Sequence, residues 1–418
     1  MLKKISLFRD VFMTLLFVFV IFTPPIRFLP YYSWILALIG IWTMTDRNFK
    51  FLIGFKDKKN LNFLKSLAFV LIFNAVAIPL SHISGDFTYV PLQIGIVLAM
   101  FRNILLVYCL HRFGKGDIFE LYCKYFFLSC CIYVAFTLIF IFEPGFKHFW
   151  LDTMLTSVED KSLDFAVYEF RYSLDGFAAF SSASVFSFSC LFCSYLIASS
   201  KEIKLYKIIC LMLMVVGCFF YGRVSLVGML LGAVLIVWTS GSLLKTLRII
   251  SIIVALVLGL LALLNIASKS NDSLILWQEW AFSIVKQIFV ERKVSDYSVT
   301  HMVEDMYYMP DFSTLLFGDG LYTNSNGSYY GHTDVGFMRL ILYGGILSLF
   351  LVYYLMIKVA KITAQVSKTI VFKRFMFLTI ILFIALEMKG EAYQREIMMV
   401  YPLFLILNYK NNILKHYE

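Results

Sequence analysis

The run IICLMLMVVGCFFYGRVSLVGMLLGAVLIVW, Ile208 to Trp238, holds 31 residues and a single charge, Arg223. As one helix it would measure about 46 Å at 1.5 Å per residue, against a bilayer hydrocarbon core of about 30 Å. Both flanks are basic: Lys201, Lys204 and Lys207 precede it, and Lys245 and Arg248 follow. A segment that leaves and returns on the same side must cross twice. The run therefore predicts two spans joined by an outer turn at Tyr221-Gly222-Arg223, and a chain built from membrane-crossing helices.

Composition agrees. Of 418 residues, 60% are hydrophobic and 15% charged, where a soluble domain carries about 25% charged residues. That apolar supply suffices for roughly twelve spans of about 20 residues. Apolar runs fall at 9–24, 30–45, 61–81, 89–110, 118–142, 176–200, 205–221, 223–241, 249–266, 335–357, 373–388 and 397–409. The connecting segments 1–10, 46–60, 111–117, 201–207, 241–248, 358–374 and 410–418 hold 22 Lys or Arg, and the opposite set holds 11. The positive-inside rule then places both termini in the cytoplasm. The expectation is an all-α polytopic membrane protein with about 12 transmembrane helices, residues 1–418 forming one integral membrane domain. Two outer loops are long, 143–175 and 267–334. The first run follows Lys3, Lys4 and Arg9 and ends at Pro24-Pro25 without a small-residue cleavage site, so it reads as an uncleaved span.

Several function classes are excluded or weakened. The net charge of +10 is spread over cytoplasmic segments and forms no single basic face, so no nucleic acid is expected. All eight cysteines lie in apolar stretches and read as small hydrophobes; Cys190 and Cys193 have redox-motif spacing but no βαβ context. No phosphate-cradling glycine loop, paired-histidine metal spacing or Gly-x-Ser-x-Gly elbow occurs, so no metal or cofactor is expected. A 6+6 carrier would carry its long connection between spans six and seven, where this chain has only 201–207.

Chemistry is therefore sought on the outer face. Arg223 reads either as a snorkelling anchor or as an anion clamp, since a guanidinium grips phosphate with two parallel donors. Arg102 reads as a structural charge satisfied by a polar group such as Asn74. The stretch Phe317-Gly318-Asp319-Gly320 through Gly331-His332-Thr333-Asp334-Val335-Gly336 is rich in Gly, Asn, Ser and Tyr, which suit turns and sugar hydroxyls and rings. His332 and Asp334 sit where this loop re-enters the membrane, as either solvated side chains or an acid–base pair. Arg339 lies about one turn deeper. Glu387 to Glu396 packs five charges, among them Lys389, Glu391 and Arg395, between short spans. Either the turn dips below the surface into a wet or paired cavity, or short helices sit beside thinned lipid. Arg171 and Asp175 precede span six as an anchor or an ion pair. Leu274, Trp277, Ala281, Ile284 and Ile288 recur at helical spacing, as an amphipathic helix on the membrane face or a helix packed on other loop segments.

The layout, the turn Gly222-Arg223-Val224-Ser225-Leu226, Phe317-Gly-Asp-Gly320, His332-Thr-Asp-Val-Gly336 and Tyr343-Gly344 resemble the O-antigen polymerase and ligase superfamily. The resemblance implies an all-helical, metal-independent glycosyltransferase in a bacterial inner membrane, with its long loops in the periplasm. It implies an undecaprenyl-diphosphate-linked oligosaccharide as substrate, surrounding membrane lipids and a chain-length regulator as partners, and no cofactor. It assigns the turn arginine to Arg223, the loop histidine to His332 and a second loop arginine to Arg292. The expected activity is polymerisation of repeat units. Arg223, His332 and Asp334 are the expected catalytic groups; Arg171, Arg292, Arg339, Lys389, Glu391 and Arg395 are expected to bind substrate. A ligase that moves finished glycan to a lipid A core is the alternative, and a lipid-linked oligosaccharide flippase the third reading.

Overall fold

The computed structural model describes residues 2–83, 85–155, 170–199, 205–222, 224–239, 274–280 and 300–417, with isolated positions between 240 and 273. It is 80% helical. Among the described residues, five helices are long and apolar enough to cross a membrane, and three shorter apolar helices accompany them. The chain is an all-α membrane protein.

The described residues cluster into two compact units. The first comprises residues 1–35 and 109–294, the second 36–108 and 295–418. In chain order the helices are α1 (Leu2–Ile21), α2 (Tyr32–Thr43), α3 (Arg47–Leu52), α4 (Lys58–Ser81), α5 (Val90–Phe113), α6 (Ile118–Phe142) and α7 (Phe180–Ser199). They continue with α8 (Leu205–Tyr221), α9 (Ser225–Thr239), α10 (Phe312–Phe317), α11 (Gly336–Val366), α12 (Ile370–Glu387) and α13 (Tyr393–Tyr417). The run at 208–238 holds two helices, α8 ending at Tyr221 and α9 starting at Ser225.

In the first unit α7 is the central helix, with 89% of its apolar window buried. Its serines and cysteines leave room for close neighbours. A β-carbon on Gly228 of α9 would collide with the Ser187 carbonyl, so α9 lies backbone against backbone on α7. Small-residue contacts of this kind drive helix association where lipid removes the hydrophobic incentive. α1 packs on α6 through Phe17 against Tyr122, centroids 5.2 Å apart. Phe22, Tyr133, Phe186 and Tyr221 close the core. Residues 274–280 are helical, and Trp277 is buried against Phe220. Within the described residues this favours the packed-helix reading of that segment.

In the second unit two helices are broken where they face each other. α4 takes a π-helical turn at Phe73–Ala77, just before Pro79. Proline removes an amide donor and loosens the helix, and π turns gather at such sites. α11 breaks at Gly344 and Gly345, the latter at φ 68°, a conformation glycine adopts without steric cost. Tyr343 Oη donates to the Asn74 carbonyl (2.7 Å) and Ser348 Oγ to Asn74 Oδ1 (2.7 Å). Asn74's side-chain oxygen thus accepts from Ser348. The carbonyls freed at the α11 break accept amides from the 318–320 turn, Asp319 N to Leu342 O (2.7 Å) and Gly320 N to Tyr343 O (3.0 Å). Irregular backbone at membrane depth survives only when its polar groups are satisfied by protein or water.

Candidate functional site

The break leaves Gly336 to Tyr343 as a two-turn half-helix, and Arg339 projects from its middle. This arginine is 7% exposed. Its Nη1 lies 3.4 Å from Glu391 Oε2, both side chains being 6% exposed. The guanidinium is sandwiched between two rings, 3.7 Å from the Tyr329 centroid and 4.1 Å from that of Tyr322. Cation–π contacts of this type are worth about 0.5–2 kcal/mol each.

A single small hairpin delivers both rings. Thr323 and Tyr329 form a β-bridge, and Tyr330 N donates to Tyr322 O (3.2 Å). Asp86 anchors the hairpin's base: its Oδ2 accepts the amides of Tyr322 (2.7 Å) and Thr323 (3.0 Å), and its Oδ1 that of Thr88 (2.7 Å). Partial burial pushes the Asp86 carboxyl up, but the Thr88 hydroxyl and these amides outweigh it and hold it below its ordinary value. Asp319 fixes the other end, accepting from Thr314 Oγ1 (2.7 Å) and Tyr330 Oη (3.1 Å).

Glu391 is the acceptor at the centre. Tyr89 Oη donates to its Oε1 and Tyr322 Oη to its Oε2, each at 2.5 Å. Tyr89 Oη also lies 3.0 Å from Tyr393 Oη, which accepts from Gln93 Nε2 at 2.6 Å. A phenol has one hydrogen; with Tyr89's committed to the carboxylate, Tyr393 donates to Tyr89. Burial, then the adjacent Glu391 charge, hold the Tyr322 phenol above its ordinary range, so it remains a donor. A buried ion pair tolerates its desolvation only when further hydrogen bonds satisfy the remaining lone pairs, and two tyrosines supply them here.

One edge of Arg339 remains. Its Nε and Nη2 are buried and have no hydrogen-bond partner among the described residues. These two donors form the side-on fork of a guanidinium, whose parallel N–H groups match two oxygens of one phosphate or carboxylate. An unsatisfied buried donor costs about 1–3 kcal/mol, so an uncommitted fork in a packed site points to a ligand. In the same unit, a cavity of about 330 Å³ is lined by Tyr307, Tyr308, Pro310, Phe337, Met338 and Ile341. Its lining is mostly apolar.

The structure thus brings Arg339 and Glu391 together, with the Glu391 side chain buried and paired, although the flanking helices, of 18 and 25 residues, are longer than the apolar runs suggested. Lys389 and Arg395 sit on the same turn, partly buried. His332 and Asp334 are exposed at the rim of the same loop and make no side-chain hydrogen bond among the described residues. His332 is held at φ 50°, a region that side-chain-bearing residues rarely occupy. In the first unit, Arg171 Nη2 donates to the Tyr221 carbonyl (2.7 Å) and its guanidinium lies over Phe177 (4.8 Å). It therefore caps the last turn of α8, where a cation meets the negative helix end. Asp175 accepts from Tyr133 Oη. Arg223 and Arg292 lie outside the described residues. Sequence reasoning missed Tyr89, Tyr329, Tyr393 and Gln93 as site residues; only the tyrosine density of 318–331 hinted at any of this. Comparison with family models, curated proteins and solved structures returns no match.

Proposed function

We propose that this protein is an O-antigen (surface polysaccharide) polymerase. It would join undecaprenyl-diphosphate-linked repeat units at the periplasmic face of a bacterial inner membrane, through about twelve spans with both termini cytoplasmic. The observation that carries the proposal is the buried Nε/Nη2 pair of Arg339, uncommitted to any protein acceptor among the described residues and held in place by Glu391 and two tyrosine rings. In this reading the fork holds an oxygen pair of the carrier diphosphate and stabilises the charge that develops as it leaves. Glu391, its lone pairs committed to Tyr89, Tyr322 and Arg339, aims the guanidinium. His332, exposed and unencumbered at the rim, takes the proton of the attacking sugar hydroxyl, with Asp334 beside it. The bond from anomeric carbon to diphosphate breaks, a glycosidic bond forms, and the carrier departs as diphosphate. The apolar cavity in the same unit suits the hydrocarbon end of a lipid-linked substrate, and exposed tyrosines suit sugar faces. Arg223 and Arg292 enter this reading through the family resemblance alone.

Purified protein given only lipid-linked repeat units tests the proposal: longer lipid-linked chains support it. No reaction until core lipid is added would make it a ligase. The broken α11 favours one further reading, because transporters build substrate sites from interrupted helices. Movement of labelled lipid-linked sugar across a vesicle bilayer with no bond change would establish that reading instead.

A further inference from the structure

We infer that Glu387 is a positioning residue for the Arg339–Glu391 pair, acting on the starts of two helices at once. It is the last residue of α12 and is 0% exposed. Its Oε1 accepts the amides of Ala392 (2.7 Å) and Tyr393 (2.8 Å), the two residues that follow Glu391. Its Oε2 lies against Gly336, the first residue of α11: a β-carbon there would collide with this oxygen and stand 2.5 Å from the Gly390 carbonyl. Helix N-termini leave orphan amides that attract a carboxylate. The usual donor of such a cap is the residue just before the helix; here it comes from the preceding helix.

The geometry explains why a membrane protein keeps this carboxylate. The turn 388–392 is closed from behind by Lys389 N to Leu386 O (2.9 Å) and Gly390 N to Leu386 O (3.0 Å). Glu387 closes it from the front. Glu391 then has one backbone position from which to reach Arg339, three residues into α11. The same carboxylate sets how near the α11 start can come, because only hydrogen occupies the Gly336 side-chain position. A simple cap would stabilise α13 and nothing more. A carboxylate seated between both helix starts also fixes the direction of the Arg339 fork.

This inference rests on the reading of Arg339 as an anion clamp, and its test separates the two. Inorganic diphosphate binding is measured on the full-length protein in detergent, alongside melting temperature and membrane level. Wild type is expected to bind and Arg339→Lys to lose about 100-fold in affinity. Glu387→Ala is expected to lose about 10-fold or more. Glu387→Gln keeps an acceptor oxygen for both amides and should recover to within about 3-fold. Residues acting through a shared partner are non-additive, so in a Glu391→Gln background Glu387→Ala should cost less than about 2-fold further. Full additivity, or an affinity unchanged by Glu387→Ala, overturns the inference while leaving the clamp intact. Equal loss in Glu387→Gln and Glu387→Ala also overturns it, by showing that the charge itself acts. Absence of diphosphate binding by wild type overturns both. Should Glu387→Ala not reach the membrane, Glu387→Asp, one methylene shorter, replaces it with the same expectations.

Discussion

Arg339→Lys separates charge from geometry at the site. Lysine keeps the cation opposite Glu391, so the buried carboxylate retains a counter-charge and the half-helix should still fold. What disappears is the planar fork: an ammonium is a compact point charge and cannot present two parallel donors to one phosphate. Losing one such preorganised contact in an enzyme typically costs about 2.7–4 kcal/mol, or roughly 100- to 1,000-fold in rate. The stacking on Tyr329 and Tyr322, 3.7 and 4.1 Å from the guanidinium, weakens too, by about 1 kcal/mol. That part should appear as a lower melting temperature. Arg339→Ala is the worse experiment, because it leaves Glu391 buried and unpaired at a cost of about 3–5 kcal/mol and so reports on folding. The assay is the chain-length profile of surface polysaccharide in cells carrying the variant as their only copy, at matched membrane levels. Short or single repeat units are expected. Long chains in near-normal amount from the lysine variant would refute the clamp.

Other tests address the scaffold. A reporter active only outside the cytoplasm should be active when fused after Ser325 and silent after Ser367; the reverse would overturn the orientation. Asp86 has a carboxyl held below its ordinary value of 3.8. Its contribution to docking the hairpin is therefore fully present above that value and lost as pH falls through its lower native value. Exchange protection of the Tyr322 and Thr323 amides, corrected for intrinsic rates, should stay level from pH 7 to about 4 and fall below that; loss at pH 6 would implicate another group. Gly345→Ala would place a β-carbon into the Leu316 carbonyl at φ 68°, and the left-handed backbone alone costs about 1–2 kcal/mol. Reduced membrane levels are expected, and a normal level would show that the break relaxes easily.

Helix positions were legible where one physical signal dominates. The apolar run from 118 begins where Asp117 caps the helix, accepting the Phe119 amide at 2.9 Å, and both cap and run are local. The division of 208–238 into two helices follows from length against bilayer thickness. The break in α11 was hidden, because Gly344 and Gly345 inside an apolar run read equally well as a close-packing face. What decides between them is a pair of amides arriving from residues 319 and 320, a long-range event. The site shares this character. Arg339 and Glu391 were visible as charges that a membrane would not tolerate alone, but their pairing was not. Tyr89 meets Glu391 across 302 positions, and no periodicity records such a contact. In the other unit, Arg171 read as a membrane-edge anchor or ion pair, and its bond to the Tyr221 carbonyl spans 50 positions that no local pattern records.

The hairpin over Arg339 is closed twice, and the inner closure has a consequence for variation. Below the Thr323–Tyr329 bridge, Asn324 N donates to Ser328 O (2.8 Å) and Ser328 Oγ to Asn326 Oδ1 (2.7 Å). The tip at 325–327 is therefore braced by its own residues, Asn326 holding Ser328 and Gly327 turning at φ 80°. Substitutions at Ser325 that keep Asn326 and Gly327 should leave the two tyrosines on the arginine. The hairpin thus separates a tip held by its own bonds from a base, tied to Asp86, that carries the two rings. A foreign tip grafted between Asn324 and Ser328 with the same inner closure should leave the charged centre in place.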